Sequence, residues 1–240
     1  MEWICRPGTE DAGVVREVYT QNFYHLLLEN IAGYVVCDVG AHIGTFTRLC
    51  LDNGAAFVSS YEAASDTFCL LAQHCSEYVG QDRVHVNNLA VWRNDMPPME
   101  LTIFQHPQGN LCGSRTCAAP TGATLERCAT WPLDWALRDL IGRFGRCDLL
   151  KIDAECAEYP AFYTSELLAQ VPNIVGEFHY CTKIVEEAYV EGTPGYNLAG
   201  FKGFLEGLGY QFVNNLVPWG GNFWASRDNW SAFSIPGINA

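Results

Sequence analysis

The chain alternates short apolar runs with stretches of helical spacing. Strand-like runs occur at Tyr34–Val39, at "AFVSSYEA" ending on Glu62, and at Arg83–Val91. Others are "CDLLKID" (Cys147–Asp153), "NIVGEFHY" (Asn173–Tyr180), "YQFVNN" and "GNFWASR". Apolar residues recurring every third or fourth position predict helices over Thr45–Asn53, Ser65–Tyr78, Pro132–Phe144, Ala161–Gln170 and Leu198–Leu208. A further helix is expected near the amino terminus, where Val14, Val15, Val18, Phe23, Leu26 and Leu27 can share a face. "MELTIFQ" alternates like an exposed strand, and Gln105–Gly122 reads as a loop that could serve as a lid.

Strands interleaved with helices predict an α/β fold, a mostly parallel sheet with helices on both faces. The last two strands can form a hairpin across Leu216–Gly221 and supply the antiparallel element. One domain is expected over 1–240, with a helical segment at 1–33, the core at 34–227 and a tail at 228–240.

Charge narrows the partners. The 240 residues carry 14 basic and 27 acidic side chains, a net charge of −13. Such a surface repels phosphate backbones and anionic lipid, so nucleic acid is disfavoured as a partner. No apolar run reaches the roughly 20 residues that span a bilayer. The start, "MEWICRPGTED", has no apolar core of a secretory signal, so an intracellular, cytoplasmic protein is expected. The 11 cysteines form no C-x-x-C pair. Cys37, Cys50, Cys69 and Cys147 sit in apolar runs, and reduced, buried thiols are expected.

The stretch "VVCDVGAHIGTF" (Val35–Phe46) ends a buried strand on an acid and then turns on glycine. It lacks the lysine of a phosphate-binding P-loop and the third glycine of a dinucleotide fingerprint. Asp38 would also repel a pyrophosphate. Glu62 closes the second strand 22 residues after Gly40, where a carboxylate can accept both hydroxyls of a ribose. Turn and acids together suit a nucleoside with a cationic amino-acid tail, the shape of S-adenosylmethionine.

"CDVGAHIGTFTRL", "YEA", "NNLAV" and "CDLLKIDAECAEY", in this order, resemble the FkbM family of S-adenosylmethionine-dependent methyltransferases. "RPGTEDAGVVREVY" resembles the segment before that family's first strand, so the similarity runs from about Arg6 to Arg227. The resemblance implies a class I methyltransferase, Rossmann-like fold with a seven-stranded sheet of order 3-2-1-4-5-7-6, and O-methylation of a hydroxyl. Carried over, Gly40, Ala41, His42 and Gly44 would wrap the methionine end, and Asp38 would anchor the turn or meet the amino group. Glu62 would hold the ribose, and Asn88 would contact the adenine. One position departs from the pattern: Cys156 stands where the family has glycine, which puts acceptor specificity in question.

A hydroxyl acceptor needs its proton removed by a base or its pKa lowered by a metal. A period of two puts Lys151 and Asp153 on one face of their strand and Glu177 and His179 on one face of the next, with Glu155 and Glu158 just beyond. Lys151 and Glu177 can equally pair as buried charges. The catalytic candidates are Asp153, Glu155, His179 and Lys151, with His179 first as general base. A divalent metal on Asp153, Glu155 and His179 is the second reading. The acceptor class expected is a small molecule or carbohydrate; the turn residue Trp219 is expected to pack in the core or at the sheet edge, with facing such an acceptor as the second reading. Two other functions fit a sheet of this kind: a nicotinamide-dependent oxidoreductase, and a S-adenosylmethionine-binding module without turnover.

Overall fold

A computed structural model describes residues 2–105, 124–180, 188–216 and 220–235. Along β1 (Val35–Val39) every residue is buried, because both faces of the strand are covered. Val35, Cys37 and Val39 join one core, while Val36 joins the other. The same period of two sorts β2 (Phe57–Tyr61), where Phe57 and Tyr61 go to the first core and Val58 to the second. Asp38 falls on the second face, which is where its chemistry is needed.

The remaining strands are β3 (Val84–Asn87), β4 (Ala90–Trp92), β5 (Glu100–Gln105), β6 (Thr124–Pro132), β7 (Leu149–Ile152), β8 (Asn173–His179), β9 (Gln211–Asn214) and β10 (Gly220–Ser226). Seven of them form one sheet in the order β3-β2-β1-β7-β8-β10-β9. Counted by sequence within that sheet, this is 3-2-1-4-5-7-6. The first five strands pair in parallel, and β10 runs antiparallel to both β8 and β9. Helices α5 (Leu133–Phe144), α6 (Glu158–Tyr163) and α7 (Leu198–Gly207) supply the first core, and α2 (Thr45–Asp52) and α3 (Ser65–His74) the second. Among the described residues, no helix is long and apolar enough to cross a membrane.

The structure differs from expectation in several places. The helix expected over Ala161–Gln170 is instead α6 (Glu158–Tyr163) followed by a 3-10 turn at Leu168–Gln170. The run Arg83–Val91 is not one strand: β3 ends at Asn87, and β4 leaves for a separate three-stranded sheet, β4-β6-β5. The amino-terminal helix is fragmented into α1 (Asp11–Val14), a π-turn over Val15–Thr20 and a 3-10 turn at Leu28–Asn30. Asn22 and His25 lie between these pieces at φ +51, left-handed conformations that end a right-handed helix. The helix expected over Ser65–Tyr78 likewise breaks at Cys75 into α3 and α4 (Ser76–Val79). Within the segment expected as a tail, residues 228–235 carry core positions, with Trp230, Ala232 and Phe233 buried in the second core and Phe233 bridging to Leu26.

Cysteine chemistry also departs from expectation. Cys37, Cys50 and Cys147 are free and buried, but Cys69 is exposed, and Cys156 is disulfide-bonded. The loop residues 106–122 and Trp219 also lie outside the described residues. Cys156 adopts φ +75, a backbone region that favours glycine, so the glycine of the family pattern has a conformational reason at this position. Holding a cysteine there costs on the order of 1–3 kcal/mol.

The glycine turn is set by close backbone approach. Gly40 has φ +71, and a Cβ there would stand 1.9 Å from the carbonyl oxygen of Asp153. Its N–H and that of Ala41 both donate to the Tyr61 carbonyl, at 3.0 and 2.9 Å. Gly40→Ala is therefore expected to lower unfolding stability by about 2–4 kcal/mol in urea denaturation, from clash and backbone strain together. A loss under about 0.5 kcal/mol would show that the strand ends are not packed this tightly.

Candidate active site

Parallel register places Asp38 on β1 directly opposite Lys151 on β7. Both side chains are buried, with Lys151 Nζ 3.4 Å from Asp38 Oδ1. Thr47 Oγ1, from α2, donates to Asp38 Oδ2 at 2.6 Å. Lys151 Nζ also donates to the carbonyls of Val39 and Gly40. Lys151 thus pairs with Asp38 rather than Glu177, and its ammonium holds the β1 turn. Asp38 anchors the turn from within the core and lines neither cavity described next.

Two cavities open at the carboxyl edge of the sheet and share Gly40, Glu62, Asp153 and Glu155. The smaller, about 90 Å³, is apolar, with Leu89, Val91, Trp92, Ile103 and Ala157 in its wall. Trp92 is buried, and its indole N–H has no hydrogen-bond partner. An orphaned buried donor costs about 1–3 kcal/mol. The larger is an open cleft of about 530 Å³, with Tyr24 and Phe46 in its wall beside Glu10, Glu17, Glu62, Asp153, Glu155 and Glu177.

Glu62 sits between the cavities. Its Oε2 accepts the His42 N–H and its Oε1 the Ala64 N–H, each at 2.9 Å. Burial raises its pKa to about 7, against the pull of those two N–H groups. His42, at φ +52, lines the open cleft. Burial lowers its pKa to about 4, so the ring is neutral at pH 7 although Asp11 Oδ1 lies 3.5 Å from Nε2. Asp11 is itself held by a two-pronged bond from Arg6. Asn88 faces neither cavity: its amide donates to the Glu62 and Ala63 carbonyls, fixing the strand end that carries Glu62.

His179 is the centre of the acidic side. Its backbone N–H and Nδ1 both meet Glu158 Oε1, at 2.8 and 3.1 Å, and Glu158 is fully buried. Its Nε2 faces Glu155 at 3.6 Å, Glu177 at 3.7 Å and Asp153 at 3.9 Å. Burial alone would depress the imidazole, but Glu155 and Glu158, with Asp153, override it and hold its pKa well above the usual range. That upward direction works against the expected general-base role. Burial lifts Glu155 to about 7, and burial with Asp153 lifts Glu177 to about 8. Tyr24 donates to Asp153 Oδ2 at 3.3 Å.

Sequence reasoning brought Asp153, Glu155 and His179 together correctly in space. It missed Trp92, because β4 was read as the end of β3, and Tyr24, because its segment was read as a plain helix. The two-residue spacing does place Glu177 beside His179, but Glu177 is not among the catalytic candidates that the sequence offers.

A carboxyl with a folded pKa above its unfolded value favours the fold at low pH, and that contribution fades as pH rises through the folded pKa. For Glu62 the window runs from about 4.5 to about 7. Stability by chemical denaturation is expected to fall across this range, and Glu62→Gln is expected to flatten the slope. An unchanged slope in the variant would show that Glu62 titrates normally.

No protein-family model matches the chain, and no curated protein matches it. Among solved structures, the methyltransferase FkbM from Methylobacillus flagellatus KT is similar at 14% identity and a TM-score of 0.49. That match covers 81% of this chain and 44% of the other, so the chain spans less than half of that protein. Magnesium protoporphyrin IX methyltransferase from Synechocystis PCC 6803, solved with bound SAM, is similar at 11% identity, TM-score 0.44, covering 90% and 77% of the two chains. The putative methyltransferase yhhF from Escherichia coli is similar at 10% identity, TM-score 0.45, covering 94% and 92%. Identity this low leaves ligand and chemistry to the site residues themselves.

Proposed function

We propose that this chain is a S-adenosylmethionine-dependent methyltransferase of the class I fold, acting on a hydroxyl of a small molecule or glycan. The observation that carries this reading is the pair of cavities meeting at Glu62: an apolar recess with one unanswered donor, beside an acidic cleft. A flat heterocycle with ring-nitrogen acceptors fits the recess, where Leu89 and Val91 offer apolar contact and the Trp92 N–H a hydrogen bond. Each Glu62 oxygen already accepts one N–H, and an ionised carboxylate has about four acceptor sites, so two remain for ribose hydroxyls. Ala41 and His42 line the cleft, and its carboxylates suit a sulfonium and an ammonium. Bound there, S-adenosylmethionine supplies an electrophilic methyl group for in-line displacement.

The nicotinamide alternative fits less well. A pyrophosphate needs unused N–H groups at the turn, and here Gly40, Ala41 and His42 all donate within the protein. The acidic cleft would also repel it. On the acceptor side, Asp153 is the cleft carboxylate best placed to take a hydroxyl proton, since burial inclines Glu155 and Glu177 to keep their own.

Calorimetric titration with S-adenosylhomocysteine is expected to give micromolar binding, with NADH silent. Glu62→Ala should weaken binding at least tenfold, and Trp92→Phe about fivefold, the worth of one hydrogen bond near 1 kcal/mol. Absence of binding to ligand-free protein would overturn the reading.

A further inference from the structure

We propose that Asp153, Glu177 and His179 form a binding site for a first-row divalent cation such as Mn²⁺ or Zn²⁺. One ligand atom from each lies within 4.8 Å of the others. Atoms bound at about 2.1 Å to one cation stand roughly 3 to 4.2 Å apart, so the separations of His179 Nε2 from Glu177 (3.7 Å) and Asp153 (3.9 Å) need little contraction.

The surroundings prepare each ligand. Glu158 faces His179 Nδ1, which fixes the ring and turns Nε2 toward the carboxylates, the arrangement that orients metal-bound histidines. Glu158 is fully buried, and its Oε2 has no hydrogen-bond partner. Tyr24 donates to Asp153 from the other side. Four carboxylates surround one imidazole, and Lys151 is committed to Asp38 and two carbonyls. A dication held among them would bring an opposing charge to the point where these side chains converge.

Donor chemistry selects the ion. One imidazole and two carboxylates suit Mn²⁺, Fe²⁺ or Zn²⁺, whereas Mg²⁺ and Ca²⁺ favour oxygen-only sets. Glu177 takes the place that sequence reasoning gave to Glu155, because β8 carries Glu177 and His179 on one face. Asp153 and Glu177 line the cleft, so positions left open on the cation face an acceptor. An acceptor offering two oxygen atoms would fill them. That last consequence rests on the methyltransferase reading; the cation site itself does not.

The test is calorimetric titration of the chelator-treated full chain with Mn²⁺, Zn²⁺ and Mg²⁺ separately, with Mn²⁺ binding also followed by electron paramagnetic resonance. The expected result is one equivalent of Mn²⁺ or Zn²⁺ at micromolar affinity and at least tenfold weaker Mg²⁺. Glu177→Gln and His179→Ala should each lose at least tenfold. Glu158→Gln should lose about tenfold without removing a ligand. Glu17→Gln, in the same cleft but outside the cluster, should bind as the parent does. S-adenosylhomocysteine titrated in parallel reports whether each variant is folded and keeps the donor site. No stoichiometric binding by the parent chain would overturn the site. So would equal loss in Glu17→Gln, or undiminished binding in Glu177→Gln.

Discussion

The buried pair of Asp38 and Lys151 is the contact on which the rest of the site depends. Two charges taken out of water are costly unless each finds partners. Here Asp38 has the Thr47 hydroxyl and the ammonium, and Lys151 has in addition the carbonyls of Val39 and Gly40. The pair therefore does more than neutralise itself. It clamps the carboxyl end of β1 to β7 at the point where Gly40 lies against the Asp153 carbonyl.

From that clamp the site follows. The turn is pinned on its other side by Tyr61 and Glu62, so two strand-end carboxylates, Glu62 and Asp153, come to face the same opening. The second face of β8 adds Glu177 and His179 by simple alternation. The outcome is a concentration of negative charge at one end of the sheet, beside a recess that is almost wholly apolar. Such an edge suits a ligand with a flat neutral end and a cationic end, and it distinguishes this site from one made for phosphates.

Much of this was legible in the sequence, for local reasons. Fully apolar strands such as β1 and β7 announce themselves, and the acids and glycines at their ends fall at fixed spacings. The order 3-2-1-4-5-7-6 came through the family resemblance rather than from alternation. What was hidden depends on tertiary contacts. Asn88 ties its amide to the carbonyls after β2, and the chain then leaves the sheet, so Arg83–Val91 is two strands although its apolar pattern is continuous. β6 went unseen because Thr124–Pro132 mixes Glu126 and Arg127 with an exposed Leu125, which blurs the alternation. The left-handed residues Asn22 and His25 leave no mark on apolar spacing, so Tyr24 was not placed against Asp153. A sequence also cannot show that His179 is ringed by four carboxylates, a setting that raises its pKa.

The central claim is that the β1 turn, the end of β2 and the wall made by β4 form one donor-binding surface. Amide hydrogen exchange with and without S-adenosylhomocysteine tests it most directly. The account predicts added protection at residues 38–46, 60–65 and 88–92, with β9 and β10 unchanged. Protection absent from all three segments, or confined to some other part of the sheet, would contradict it.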